Sequence, residues 1–464
     1  MRDEIFEKLV HAKSKIDGFG EIRFQNEEGI TIVLENGEIT NVEPIFKSGG
    51  NVRILLKGHN FGFSTFNKLD DIDRALTKAV DMSRSLIPDD EVRLAEVEPV
   101  EDFVRISIDD DFREHSVDEI VDMLKEYDEL IMEHSRKTIG RVLVYRDYFM
   151  EKYLVTTDNI KIFTQKILGV VDAKAISTNG EKAKTIHFSM VSFDSFAELT
   201  KKQDLFKKIA SIADKLLCAD YPSCEYCTII LAPKVAAIFT HEIVHFFEAD
   251  NLLYKYKNDD LVKLGQKIGP GFLNIFDDGS MVPEKLGTIF YDDEGVPAKK
   301  NYLVKNGVIV NYLHSRKTAA LMNGIPTGNA RSPDFRYQPI VRMTNTAIES
   351  GPFPVNQMFD EIKIGVYVVD FYKFFFSNGL NGSILIDDCY GYMIRNGKLA
   401  EMVDDFSVLI DLSNGLFFIE QIGDDFIWSN SYGFCGKCGQ EVLVGVGAPH
   451  VKIKNAYISR NICY

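Results

Sequence analysis

Phe239-Thr240-His241-Glu242-Ile243-Val244-His245-Phe246-Phe247-Glu248-Ala249-Asp250 is the stretch around which the rest of the chain is organised. On a helix, His241 and His245 lie one turn apart on the same face, where two imidazoles can share one metal ion. Glu242 stands beside them to handle a proton. This is the H-E-x-x-H pattern, in which the histidines bind zinc and the glutamate is a general base. So short a motif arises by chance in roughly one chain in a hundred of this length. A third ligand is needed to make it a site. Upstream, Cys227 to Leu231 reads as a short buried strand that enters the histidine helix through Pro233.

The bulk properties narrow the setting. The chain has 464 residues, 45% hydrophobic and 26% charged, enough for a large core and two or three structural units. A net charge of −16 argues against general affinity for nucleic-acid phosphates. Nowhere do about eighteen apolar residues run together, so no membrane span is expected. The opening residues, Met1-Arg2-Asp3-Glu4, lack the apolar core of a signal peptide. Seven cysteines do not read as a secreted disulfide framework. A cytoplasmic protein is the expectation.

Periodicity outlines an α+β chain in three parts. Asp3 to Ile16 has apolar residues at helical spacing, and Gly20 to Phe66 reads as short strands split by turns. The clearest turns are Glu35-Asn36-Gly37-Glu38 and Ser48-Gly49-Gly50-Asn51. Leu69 to Leu86 is a helix closing an N-terminal helix/β-meander unit, residues 1–87, and the acidic passage Pro88 to Asp102 reads as a linker. A middle region, 88–222, repeats the scheme, with a helix over Val117 to Ser135, strands over Ile139 to Phe193 and a helix over Leu205 to Leu217. Helix–meander following helix–meander hints at duplication. The third part, 223–464, holds the histidine helix, a polar loop region through Gly279, and strands with many Gly and Asn turns that suit a barrel-like sheet. The run Phe371 to Phe376 reads as packing.

Gly433-Phe434-Cys435-Gly436-Lys437-Cys438-Gly439-Gln440 offers the third ligand, because glycines let backbone approach a metal closely. A thiolate at Cys435 completes a His, His, Cys set and leaves the fourth zinc position for water. Cys435-x-x-Cys438 also permits a closed, purely structural site with both thiolates and both histidines. Such a site has no use for Glu242. Cys224-x-x-Cys227 repeats the spacing some two hundred residues away, too far for an ordinary zinc ribbon, and reads as incidental. Glu248, three residues past His245, is either an orienting partner for that histidine or a carboxylate of the helix surface. Arg331 and Arg342 are either oxyanion donors or structural ion-pair partners, Asn329 and Asn345 read as turn residues, and His314 as a satisfied side chain.

The region from Cys227 to Asp250 resembles the TldD/PmbA family of peptidases, where a strand and a proline lead into a histidine–glutamate helix ending in Glu-Ala-Asp or similar. Tyr291-Asp292-Asp293-Glu294-Gly295-Val296-Pro297 is similar to the family's acidic turn. Gly328-Asn329-Ala330-Arg331, Arg342-Met343-Thr344-Asn345-Thr346 and Gly351 are similar to its central signature. Cys435-Gly436-Lys437, Gly439-Gln440 and Val444-Gly445-Val446-Gly447 resemble its metal loop, and Glu35-Asn36-Gly37 with Gly62-Phe63-Ser64 its first domain. The likeness runs along nearly the whole chain in one order.

The resemblance implies a zinc metallopeptidase of the TldD-like branch, with His241, His245 and Cys435 on the metal and Glu242 as general base. It also implies a homodimer, or a heterodimer with a related subunit, acting on short or unfolded peptides. The alternative is a non-catalytic partner subunit with a structural zinc site. The family's histidines are usually one residue further apart, in H-E-x-x-x-H. The geometric question is whether the shorter turn still aims both imidazoles at Cys435.

Overall fold

The computed structural model describes residues 2–86, 92–255, 262–282, 285–376, 383–429 and 433–460, the side chains of residues 2 and 372–376 excepted. The N-terminal half begins with α1 (Arg2–Lys13), β1 (Phe19–Glu35), β2 (Glu38–Leu55), β3 (Phe61–Phe66) and α2 (Ile72–Ser85). It continues with β4 (Val100–Val104), α3 (Val117–His134), β5 (Thr138–Thr156), β6 (Ile160–Thr178), β7 (Ala183–Ser192), α4 (Phe196–Leu199) and α5 (Gln203–Leu216). Ser116 and Glu119 form a capping box that starts α3. Residues 87–91, at the start of the expected linker, lie outside the described ones.

All seven strands form one sheet in the order β3-β2-β1-β5-β6, with β4 and β7 both on the outer edge of β6. The arrangement has a near-dyad. Two meanders, β1–β3 and β5–β7, join back to back through the antiparallel β1–β5 pair, each preceded and followed by a helix. This gives physical form to the repetition hinted at in the sequence. Ile22, Phe24, Ile32 and Leu34 of β1 share one parity and face the helices. The residues between them, Glu21, Arg23 and Gln25, point to the opposite face, toward the C-terminal half.

Two expectations need correction here. The strands of this half are long, 17 to 19 residues in β1, β2, β5 and β6, where short ones were expected. Ser48-Gly49-Gly50-Asn51 is no turn but the middle of β2, paired with Phe24 to Asn26 and Arg23. A Cβ on Gly49 would fall 2.5 Å from the Phe335 ring, and one on Gly50 2.3 Å from the Arg23 carbonyl. Gly49 serves close approach of Phe335 from the C-terminal half, and Gly50 close packing within the sheet against β1 and Phe66 of β3. The Asn36-Gly37 turn does join β1 to β2, with both residues at positive φ.

The C-terminal half opens with β8 (Tyr226–Leu231), α6 (Pro233–Val244) and α7 (Ala249–Tyr254). Then come β9 (Ile275–Asp278), β10 (Lys300–Lys305), β11 (Val308–Ile309), α8 (Arg316–Met322), β12 (Ala330–Arg331), β13 (Ile340–Val341), β14 (Asn345–Ile348) and α9 (Val355–Asp360). The last elements are β15 (Ile364–Phe376), β16 (Ser383–Arg395), β17 (Lys398–Asp411), β18 (Ile419–Ile422), β19 (Ile427–Trp428), β20 (Phe434–Lys437), β21 (Gln440–Leu443), β22 (Gly445–Ala448) and β23 (Val451–Arg460). Strands β17-β16-β15-β8-β23 close into a five-stranded barrel through the β17–β23 pairing. A second sheet runs β11-β10-β9-β14-β22-β19. The molecule is thus α+β with a barrel-bearing C-terminal half. Phe371 packs on the barrel core; the remaining side chains of the Phe-rich run lie outside the described residues.

The acidic turn joins the halves. Arg53 donates to Glu21 at 2.6 Å and Glu294 at 2.8 Å, and Glu294 accepts the backbone N–H of Arg316 at 2.7 Å. Arg316 reaches Asp158 at 2.6 Å. Arg23 lies 3.3 Å from Asp293 and donates to Ser332 and the Tyr337 carbonyl, while Lys152 approaches Asp293 at 3.3 Å from β5. Buried carboxylates on the C-terminal side therefore alternate with buried cations of the sheet.

Candidate metal centre

Helix α6 is buried almost all round: Val235, Ala236, Ala237, Phe239, Thr240, His241, Ile243 and Val244 are withdrawn from water. Pro233 starts it, since a missing N–H costs nothing in the first turn. The helix lies between barrel strand β15 and strands β14 and β22 of the second sheet. It ends at Val244, and His245 opens a single 3₁₀ turn, His245–Phe247. The cause lies downstream. Glu248 is extended and bridged to Leu313, with Leu313 N–H donating to Phe247 at 2.8 Å and Ala249 N–H to Leu313 at 2.9 Å. The chain is pulled out of the helix there, and Asn251 fixes the His245 carbonyl at 2.9 Å. The two imidazoles stand edge to face, their centres 5.1 Å apart.

Cys435 arrives on the β20–β21 hairpin. The turn of that hairpin is Cys438-Gly439, both at positive φ. Cys438 therefore takes the place that Asn36, Asn306 and Asn396 take in three other hairpins, and its side chain is exposed. Cys435, on the strand, is buried. Fully buried Arg342 donates to the carbonyls of Cys435 and, at 3.2 Å, Gln440, so it clasps both strands. Arg331 donates to the carbonyls of Met343 and, at 2.8 Å, Leu443. Asn329 binds both Asp277 and the Arg342 carbonyl, and Asn345 ties β14 to the loop at Gly287 and Thr288. The central signature braces the hairpin. These hydrogen bonds go to the fold, while Arg342 Nε is buried without a partner and Arg331 lines the neighbouring cavity.

The sulfur of Cys435 lies 3.6 Å from Nε2 of His245, and one donor atom each from His241, His245 and Cys435 fall within 4.8 Å of one another. A tetrahedral ion with Zn–S near 2.3 Å and Zn–N near 2.05 Å sets S and N about 3.6 Å apart. His241 Nδ1 is buried with no hydrogen-bond partner. Three electron-pair donors converging on one point fit a metal. Cys438 is outside this set, so among the described residues no fourth protein ligand closes the site.

The surrounding charges orient the donors. Glu248, fully buried, accepts from His245 Nδ1 at 2.9 Å and from Asn251 at 2.9 Å, and Lys437 stands 3.2 Å away. That bond fixes the imidazole so that Nε2 faces the sulfur, the usual arrangement for a metal-bound histidine. Burial alone would raise the Glu248 carboxyl, but Lys437 and His245 hold it down at about 2. Burial likewise disfavours a Cys435 thiolate, yet His241 and His245 pull the thiol down to about 4. Glu242 is pushed up by desolvation, partly offset by the two histidines, and its carboxylate lies 4.0 Å from His245 Nε2. A carboxylate raised in this way is a better proton acceptor.

Lys437 is the residue that sequence reading passed over. It binds Asp250 at 2.6 Å, the Val341 carbonyl at 2.9 Å and Glu248. Its position two residues beyond Cys435 puts it on the same side of β20, and that spacing was the available signal. His314 lies outside the cluster, bonded to Thr318 at 3.2 Å and lowered by burial to about 4.

A glutamate-bearing histidine helix faces the Cys435 hairpin between a small barrel and a second sheet, an arrangement that fits a metal centre. The family model described as the PmbA/TldA metallopeptidase C-terminal domain matches residues 223–460, and that for PmbA/TldA metallopeptidase domain 1 matches residues 20–85. A metalloprotease of Synechocystis sp. is 32% identical over 95% of this chain and 94% of its own. A protein named zinc metalloprotease TldD homolog, from Saccharolobus solfataricus, is 27% identical over 88% of each. The crystal structure of TldE from Thermococcus kodakarensis shares the fold, with a TM-score of 0.78 at 19% identity, over 98% of this chain and 100% of that one. The chain belongs to the PmbA/TldD family of metallopeptidases.

Proposed function

We propose that the chain is a zinc-dependent peptidase acting on short or unfolded peptides, with zinc held by His241, His245 and Cys435. The observation that carries the reading is the convergence of those donor atoms within 4.8 Å, with Glu242 alongside. The name of the Saccharolobus relative supports zinc as the metal. When bound, zinc polarises the scissile carbonyl and makes an attacking water acidic near neutral pH.

The remaining work falls to the chain's own groups. Glu242 takes the proton of the attacking water on one carboxylate oxygen and delivers it to the leaving amine. Glu248 keeps the His245 ring in the one orientation that leaves Nε2 free for the metal. Lys437 neutralises Glu248 and Asp250 and ties the hairpin to the histidine segment. The exposed placement of Cys438 supports an open position and weighs against the closed structural site. By the family resemblance, the chain works as an assembly with a second copy or a related subunit.

The test is metal analysis of the purified protein together with cleavage of unstructured peptides. Zinc near one equivalent and loss of cleavage in Glu242→Gln, with zinc retained, are expected. Absence of zinc, or a Glu242→Gln variant as active as the parent, overturns the reading.

A further inference from the structure

Cys224 and Cys227 have no part in the metal centre. Cys227 is the second residue of β8, and Cys224 lies in the segment just before it. Their sulfurs are 2.7 Å apart, within about 0.7 Å of disulfide bond length. The backbone holds them so: Ala456 and Tyr457 of β23 pair with Cys227 and Tyr226, and Ile458 N–H donates to the Glu225 carbonyl at 2.7 Å. Both sulfurs pack against the edge of the barrel core without being sealed in, whereas Cys389 is fully buried.

The two thiols are unequal. A hydrogen bond from Cys227 lowers Cys224, which burial opposes and the guanidinium of Arg395 assists. Arg395 is itself anchored by Glu401 at 3.1 Å and Ser223 at 3.0 Å. Cys227 is shifted upward by the same hydrogen bond and by burial. One sulfur is prepared to attack and the other to resolve, an asymmetry common to C-x-x-C pairs.

We propose that Cys224 and Cys227 form a redox-active dithiol that exchanges with small-molecule disulfides of the glutathione type. The Cys224 thiolate attacks one sulfur of the disulfide, forming a mixed disulfide and expelling one thiolate. Cys227 then gives its proton to that thiolate and attacks the Cys224 sulfur, forming the internal bond and releasing the second thiolate, which takes up from water the proton that Cys224 lost on ionising. The protein sulfurs lose two electrons, and the co-substrate disulfide gains them to become two thiols.

The experiment equilibrates the full-length, zinc-loaded protein in glutathione buffers from fully reduced to fully oxidised. Remaining thiols are then trapped by alkylation and the peptides mapped by mass spectrometry. Cys224 and Cys227 are expected to lose their thiols together, as an internal disulfide without bound glutathione, and to recover them on reduction. Cys218 and Cys438, both exposed, take up glutathione only singly and serve as the comparison. Cys227→Ser is expected to accumulate glutathione on Cys224 at least roughly tenfold faster than Cys224→Ser does on Cys227. Zinc content and peptide cleavage stay unchanged in both variants, which separates this inference from the peptidase reading. Free thiols at every ratio, separate glutathione adducts on both cysteines, or loss of a second zinc equivalent in Cys224→Ser would each overturn the proposal.

Discussion

The Arg23–Arg53 clamp and the His241–His245–Cys435 cluster are both built from ionisable side chains withdrawn from water, and their internal chemistry is opposite. In the clamp, cations and carboxylates alternate along one chain of contacts: Glu294, Arg53, Glu21, Arg23, Asp293 and Lys152. Each charge finds its counter-charge within the protein, and the result is adhesion between the halves. Around Cys435 the converging atoms, one each from His241, His245 and Cys435, are all electron-pair donors. Burial of charge marks both places. Only the mismatch of donors with donors marks a place for a ligand.

Substitution should separate the two regions, with the largest effect at the metal cluster. Glu242→Gln should lower peptide cleavage by about a hundredfold or more while zinc stoichiometry holds, as followed by turnover and metal analysis side by side. In the clamp, Arg53→Met leaves Glu294 buried without its cation and Glu21 with Arg23 alone, and should cost about 3–5 kcal/mol in urea unfolding. Adding Glu21→Gln and Glu294→Gln to it should recover much of that loss; if it does not, the clamp is more than charge pairing. Glu248→Gln should weaken zinc binding roughly 10–100-fold in competition with a chelator, because His245 loses its anchor.

Acid adds a smaller, graded test. The Asp293 carboxyl is depressed: burial opposes ionisation, but Lys152 and Arg23 beside it outweigh that cost. A depressed carboxyl contributes stability above its unfolded value, near pH 3.8, and loses it as the pH falls further toward the folded value. Urea midpoints should therefore decline below about pH 4. The decline should be shallower in Asp293→Asn. The smallest effect belongs to Cys438→Asn, which keeps a residue suited to left-handed backbone and should shift stability by less than about 0.5 kcal/mol with zinc unchanged.

Much of this was legible because it rests on local pattern. His241, Glu242 and His245 announce themselves by helical spacing, and Asn36-Gly37 by its turn chemistry. The hairpin carrying Cys435 was legible as a glycine loop, and Lys437-Cys438-Gly439-Gln440 could have been read as another Glu-Asn-Gly-Glu, with Cys438 in the Asn position. What stayed hidden depends on contacts between distant segments. Gly49 and Gly50 look like a turn until Phe335, nearly three hundred residues away, is seen against Gly49, and Phe66 against Gly50. Arg342 has the composition of a substrate ligand, and only the hairpin carbonyls above it reveal a clasp. The closeness of Cys224 to Cys227 was present in the spacing, but spacing does not say whether two sulfurs face each other.

The bridge between Glu248 and Leu313 bears on how this fold would accommodate the wider H-E-x-x-x-H spacing that the family resemblance implies. Downstream of His245 the chain has no slack: its carbonyl is tied to Asn251, its ring to Glu248, and Glu248 to Leu313 in the segment between β11 and α8. An extra residue ahead of His245 must be taken up on the other side, inside the last turn of α6, as a bulge of the wider i→i+5 kind. A four-residue interval and a five-residue one then become two ways of arriving at the same moored end. The mooring sets where the second imidazole stands, and the helix adjusts its length to reach it.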